Sequence, residues 1–290
     1  MTVFLTGSQS FIGKVLAAKC QAEGTPVVGI DSLAAEGAIQ ADIRDPAIAD
    51  LIPAGATVVH LAAISRDGDC RQDPQGAYDI NVNGTINVAT AAAKAGAAQM
   101  IFASSEWVYG DVANNEVQTE DRPIDVTRMG SEYAFTKAVG EQCLRLIAKL
   151  PAVTVLRFGI VYGPRAANWS AVESVFNNVR TKDEISVGAA ATARRFIHVE
   201  DIVSGILAAR GRTGFEIFNL SGDTLISLGD VVSTASKLLG RDVRLLETNP
   251  SQPSIRNPDN ALARAKLAWR PAYDLERGLA TVSDFLANAS

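Results

Sequence analysis

Apolar runs and helical stripes alternate along the first half of the chain. Thr2-Val3-Phe4-Leu5-Thr6 is a short run of strand formers that ends in Gly7 and small polar residues. Phe11, Ile12, Val15 and Leu16 then recur at helical spacing as far as Cys20, and Gly24 closes the segment as a helix stop. Pro26 to Asp31, Thr57 to Leu61 and Gln99 to Ala103 read as further strands of the same apolar kind. Helical stretches separate them: an Ala-rich one from Asn81 to Ala95 that ends at Gly96, and the longest, from Ser131 to Leu150, with its stop at Pro151. Strands without polar faces that alternate with helices predict an α/β domain built on a doubly wound parallel sheet covered on both sides.

After Val153 to Arg157 the rhythm breaks, and Gly163-Pro164-Arg165 opens a region of shorter elements. Trp169 to Val179, Ile185 to Val187, Leu228 to Leu239 and Val243 to Leu246 predict a smaller mixed α/β C-terminal lobe. Asp201 to Ala209 reads as a helix and Gly214 to Leu220 as a strand that returns to the first sheet. The expected division is 1–162 plus about 201–222 for the first domain, and 163–200 plus about 223–290 for the second. Pro250 to Pro258 is a long turn-rich loop.

Composition narrows the chemistry. The 290 residues carry 27 basic and 32 acidic side chains, a formal charge of −5, with no dense Lys/Arg run to hold a phosphate backbone, so nucleic acid is not an expected partner. No apolar stretch approaches the roughly 20 residues of a membrane span, and no basic, apolar, cleavage-site pattern opens the chain; a cytoplasmic protein is expected. Cys20, Cys70 and Cys143 lack metal-ligand spacing, and with two histidines no metal site is expected.

Between the first strand and helix lies Thr6-Gly7-Ser8-Gln9-Ser10-Phe11-Ile12-Gly13. Glycines at such a turn let the backbone approach a pyrophosphate at a helix N-terminus. Asp31, ending the second strand, stands where a carboxylate accepts hydrogen bonds from ribose hydroxyls and repels a 2′-phosphate, which favours NAD over NADP; a solvated turn aspartate is the plainer reading. Tyr133 and Lys137, four apart on a predicted helix, share one face. A tyrosine needs about 4 kcal/mol to fall ~3 pKa units toward neutrality. An ammonium ~4–5 Å away at an effective dielectric of ~20 supplies nearly that. The strand ending Ala103-Ser104-Ser105-Glu106-Trp107-Val108-Tyr109-Gly110 brings a hydroxyl to the carboxyl edge of the sheet.

Taken together these pieces resemble the extended short-chain dehydrogenases/reductases of the NAD-dependent sugar epimerase/dehydratase family. The glycine turn, Asp42-Ile43, Val59 to Ala63, Asn81 to Thr85, Ser104-Ser105 with Val108 to Gly110, Tyr133 with Lys137, Leu156-Arg157 with Tyr162 to Pro164, Arg194 with Phe196 to Asp201, and Leu267 to Pro271 follow the family's order over nearly the whole chain. The resemblance implies a Rossmann fold with Tyr133 as acid/base, Lys137 as its partner and ribose ligand, and Ser105 as a hydroxyl on the reacting oxygen. It implies an NAD site lined by Gly7, Ser10, Phe11, Ile12, Gly13, Asp31, Asp42, Ile43, Leu61, Ala62, Ala63 and Asn81. Arg194 would grip a nucleotide-sugar phosphate, with Arg256 as a second; the alternative for each is a solvated surface cation, a weaker alternative for Arg194 than for Arg256. Glu106 is either an auxiliary acid or a supporting carboxylate, and Trp107 a pocket wall or packing. A homodimer through the Asn81 and Tyr133 helices is also implied.

Three positions depart from the family pattern. Ser10 replaces the middle glycine, which adds a hydroxymethyl group near the phosphates. Ile160 replaces an asparagine beside the sugar. Glu106-Trp107 stands where 4,6-dehydratases carry Asp-Glu, which disfavours water elimination. The leading expectation is a nucleotide-sugar 4-epimerase-like enzyme that uses NAD transiently. The alternatives are a dehydrogenase of a free sugar or sugar acid, the disfavoured 4,6-dehydratase, and a catalytically silent NAD-binding regulator.

Overall fold

The computed structural model describes residues 1–110, 112, 116–146, 149–150 and 152–288. It divides into two compact units. The first comprises Met1–Asp111, Glu120–Phe158 and Val203–Phe218; the second comprises Val112–Thr119, Gly159–Ile202 and Asn219–Ser290.

The first unit is organised by a seven-stranded sheet. Its strands are β1 (Val3–Thr6), β2 (Val27–Asp31), β3 (Ile39–Gln40), β4 (Thr57–His60), β5 (Gln99–Ser105), β6 (Ala152–Phe158) and β7 (Gly214–Leu220), in spatial order β7-β6-β5-β4-β1-β2-β3. The pairings from β3 through β6 are parallel. The order reverses at β1, so right-handed crossovers carry the helices of the two halves to opposite faces. This is the doubly wound Rossmann arrangement, and its switch point lies beside the carboxyl end of β1. Burial explains the apolar strands: every residue of β1, β4, β5 and β6 is buried. Phe4, Ile30, Val58, Val88, Met100, Phe102, Leu144 and Val155 meet in one core.

The helices of this unit are α1 (Phe11–Ala22), α2 (Asp67–Gln72), α3 (Pro74–Tyr78), α4 (Thr85–Lys94) and α5 (Glu132–Leu146). Two differ from the sequence pattern. The helix expected from Asn81 begins at Pro74 and passes through a π-helical turn, Asp79–Gly84, before α4. Asp73 caps it by accepting from Gly76 N, and Pro74 takes the first position, where a missing N–H is harmless. The helix of Tyr133 is described as far as Leu146; its expected stop at Pro151 lies outside the described residues. β5 also runs two residues past Ala103, so Ser104 and Ser105 are strand residues.

The second unit packs α6 (Ala171–Thr181), α8 (Leu228–Leu239) and α10 (Leu275–Asn288) around Val172, Phe176, Val179, Val231, Ala235, Leu279 and Val282 and also holds α9 (Ala261–Leu267); α7 (Val199–Ala208) starts in the second unit and runs on into residues of the first. Capping boxes start α6 at Ser170 with Glu173 and α8 at Ser227 with Asp230. Glu184–Val187 and Arg244–Glu247 pair in parallel. Asp201 binds the N–H groups of Ala272 and Tyr273, and its carbonyl accepts from Trp269. Among the described residues no helix is long and apolar enough to cross a membrane.

Candidate active site

The carboxyl end of β1 leads into a turn that only glycine can make. Gly7 has φ +70°, and a Cβ there would fall 2.7 Å from Ala62 N; one on Gly13 would fall 2.2 Å from the Gly7 carbonyl oxygen. The turn is thereby pressed against the segment that follows β4, where Leu61, Ala62 and Ala63 are half-buried. Ser10 is the N-cap of α1, and its Oγ accepts from Gly13 N at 3.1 Å. The expected intrusion of its side chain near the phosphates is thus answered by a hydrogen bond to the turn itself. Phe11 and Ile12 form the first turn of α1 and remain partly exposed.

Asp31, at the end of β2, closes on this turn. Its carboxylate accepts from Gln9 N at 2.9 Å and Leu33 N at 3.0 Å. Asp42 is exposed and clasped by Arg44 through Nε at 3.0 Å and Nη2 at 2.5 Å, hydrogen bonds that hold its carboxyl below the usual range. Ile43 turns its side chain into the core against Gly84 and gives its carbonyl to Asn87.

The amide of Asn81 is buried in the π-turn and wholly engaged by protein. It accepts from Ile64 N at 2.8 Å and donates to Ile64 O at 2.9 Å and Thr136 Oγ1 at 3.0 Å. It thus ties the segment after β4 to α5. Asp67 makes a second tie, binding Ser131 Oγ at 2.6 Å at the N-terminus of α5.

Ser105 ends β5 and caps the 3₁₀ turn Glu106–Tyr109, accepting from Trp107 N at 3.3 Å. Glu106 is enclosed and Trp107 half-buried. The Ser105 hydroxyl is near enough to the Tyr133 phenol to lower its pKa, and Lys137 Nζ lies 5.9 Å from the Tyr133 ring centroid and 4.9 Å from that of Phe102. The three residues expected to carry catalysis are therefore side by side. Their electrostatics differ from the expectation. Burial pushes the phenol up to about 12, with the Ser105 hydrogen bond pulling the other way, and pushes the Lys137 ammonium down to about 8. An ammonium ~6 Å away at an effective dielectric of ~20 provides about 3 kcal/mol, roughly two pKa units. One lysine at that distance therefore does not by itself bring Tyr133 to neutrality.

A polar chain beneath the site escaped the sequence pattern. Ala62 N approaches Thr6 Oγ1 at 3.3 Å, Thr6 Oγ1 lies 2.7 Å from His60 Nδ1, His60 Nε2 lies 3.0 Å from Thr85 Oγ1, and Thr85 donates to Asn81 O at 2.7 Å. Because Thr85 spends its proton on Asn81, the network assigns the ring proton to Nε2. Burial, aided by the Lys137 charge, pushes His60 down to about 3 and keeps it neutral. Glu141 and Arg157, a buried ion pair behind Ser105, also escaped the pattern, although Glu141 continues the four-residue spacing of Tyr133 and Lys137.

Arg194 and Arg256 belong to the second unit. The Arg194 guanidinium donates to Ala193 O at 2.7 Å and to Ser254 through O at 2.5 Å and Oγ at 3.0 Å; Arg256 N donates to Ala193 O at 3.1 Å. The loop expected at Pro250 to Pro258 is thus fastened along Ala193 and Arg194.

The model of the NAD dependent epimerase/dehydratase family matches residues 3–221. The chain is 27% identical to a UDP-glucose 4-epimerase of Mycolicibacterium smegmatis, across all of both chains. It is 29% identical to a dTDP-glucose 4,6-dehydratase of Streptomyces griseus over 77% of this chain and 70% of that protein. Its fold matches that of MoeE5, solved in complex with UDP-glucuronic acid and NAD, with a TM-score of 0.87 at 24% identity over the full length of both.

Proposed function

The chain belongs to the NAD dependent epimerase/dehydratase family, and we propose that within it the protein is a nucleotide-sugar 4-epimerase. The observation that carries this reading is the grouping of Ser105, Tyr133 and Lys137 in the unit that carries the glycine turn and Asp31. The residues present fit NAD: the turn has no room for side chains at Gly7 and Gly13, α1 presents its N-terminus, and the buried Ser8 hydroxyl has no hydrogen-bond partner among the described residues. Gly7, Ser10, Phe11, Ile12 and Gly13 would hold the pyrophosphate, Asp31 the adenosine ribose, and Leu61 to Ala63 the floor of the site. Asp42 and Ile43 would face the adenine, and Asn81 acts through Ile64 and Thr136.

When bound, oxidised NAD would supply a hydride acceptor and a positive charge. Tyr133 takes the proton of the sugar hydroxyl and later returns it, while Ser105 holds the same oxygen. Lys137 opposes the burial that raises Tyr133 and binds the ribose. Arg194 is the candidate for the nucleotide diphosphate, with Arg256 as a second. The UDP-glucose 4-epimerase relative, matched along its whole length, supports epimerisation and a UDP-sugar. Glu106-Trp107 in the place of the Asp-Glu pair disfavours the dehydratase reading.

A homodimer completes the proposal. The Tyr78 ring lies tilted 6.2 Å from that of Phe135, and Tyr78, Ile86 and Leu146 are exposed on α3, α4 and α5, apolar side chains that a second copy would cover.

The test is interconversion of UDP-glucose with UDP-galactose, and of UDP-glucuronate with UDP-galacturonate, by the purified protein. Tyr133→Phe should lose at least 100-fold in kcat while NAD affinity changes little; undiminished turnover in that variant removes the mechanism.

A further inference from the structure

Among the described residues one ion pair is buried on both sides. Glu141 and Arg157 have side chains 1% and 2% exposed. Glu141 follows Lys137 by one helical turn, as Lys137 follows Tyr133, so the three occupy one stripe of α5. Glu141 Oε1 accepts from Ser104 Oγ at 2.5 Å and Arg157 Nε at 3.0 Å, and Oε2 accepts from Arg157 Nη2 at 2.7 Å. Arg157 Nη1 donates to Tyr109 Oη at 3.1 Å, and its guanidinium lies 4.9 Å from the Tyr109 ring centroid. Ser104 immediately precedes Ser105, and Tyr109 closes the 3₁₀ turn that follows it. The pair therefore grips Ser105 on both flanks while its carboxylate stands one turn from the Lys137 ammonium.

Stability alone is a poor reason for this arrangement. Burying two charges carries a desolvation cost of several kcal/mol each, and well-packed apolar residues of the same volume serve a fold as well. What an apolar pair lacks is a fixed negative charge beside a buried ammonium. We propose that Glu141 and Arg157 are positioning residues of the catalytic set, which keep Lys137 charged and fix the Ser105 turn. This rests on the reading of Ser105, Tyr133 and Lys137 as the catalytic group.

The groups that surround Lys137 support it. Tyr133 and Glu141 share its helix; His60 and Cys70 approach from other segments, and the Phe102 ring lies against Nζ. His60 is held neutral by burial, and burial pushes the Cys70 thiol up, so it too is neutral. Glu141 is then the fixed anion of the group. Burial pushes Lys137 down to about 8, against the pull of Cys70 and then of Glu141, and with the Cys70 thiol neutral Glu141 is the lasting one.

The experiment compares wild type, Glu141→Gln, Arg157→Met and the double variant Glu141→Leu/Arg157→Met in three measurements: thermal melting, NAD affinity against pH, and kcat against pH. Glu141→Gln should move the alkaline limb of kcat, and the alkaline loss of NAD affinity, down by about one pH unit. Arg157→Met, which leaves the carboxylate unneutralised, should not move them down. The double variant should melt near wild type and keep the downward shift. If a single variant does not fold, the double variant decides. Limbs unmoved in every folded variant overturn the proposal, even where kcat or melting temperature falls. The NAD titration needs no sugar, so a wrong substrate would show as a silent wild type with intact pH-dependent NAD binding. A wild type that binds no NAD removes both readings.

Discussion

At Ser8 the chain buries a hydroxyl that no described residue hydrogen-bonds, hard against Gly29 of β2. An unmet buried polar group costs roughly 1–3 kcal/mol. Ser8→Ala should therefore raise the stability of the protein without cofactor by about 1 kcal/mol and weaken NAD binding several-fold, checked by calorimetric melting and by titration with NAD. His60 makes a second prediction. Its pKa is lowered from 6.5 to about 3 in the fold, so the unfolded chain binds its proton first as pH falls. Stability from this group is complete above pH 6.5 and is lost as pH falls toward 3. Between pH 7.5 and 5 the loss is about 2 kcal/mol. Urea unfolding of His60→Gln against wild type at the two pH values should show a correspondingly smaller acid penalty in the variant. Neither residue stands out in the sequence, because its character depends on neighbours far along the chain: Thr6 is 54 residues from His60, and Thr85 is 25.

Elements were legible where the cause is local. Apolar runs gave six of the seven strands of the central sheet, all but the exposed two-residue β3, the Gly7 turn stands at the end of β1 as read, and the four-residue spacing put Tyr133 and Lys137 on one face of α5. The differences also have local causes that a pattern of apolar positions does not register. Asp73 and Pro74 start their helix seven residues before Asn81, and the π-turn they lead into lets the Asn81 amide reach both Ile64 and Thr136. Ser104 and Ser105 read as loop because they are polar, yet they remain in register with Arg157 and Phe158 of β6. The electrostatics of Tyr133 were illegible for another reason: helical spacing shows that a lysine is near but not how deeply both groups are buried. At the element scale the tightest constraint is the approach of α1 to the turn. Gly13→Ala forces a Cβ to 2.2 Å from the Gly7 carbonyl, so NAD affinity should fall at least 100-fold with secondary structure retained. Circular dichroism and NAD titration check both halves.

For the whole molecule, the proposed epimerisation ends with the cofactor in the state in which it began. Assembly belongs to this scale. Ile86→Glu with Leu146→Glu should convert the proposed dimer to monomer in light scattering, and a wild type that is monomeric at micromolar concentration would contradict these exposed apolar residues as an interface. The central claim, that hydride leaves and returns to the same sugar carbon, is tested most directly with UDP-glucose deuterated at C4. Deuterium should appear at C4 of UDP-galactose with no exchange into added NAD and no net NADH. Loss of the label from the product, with NADH accumulating at 340 nm, would contradict that claim and make the protein a dehydrogenase.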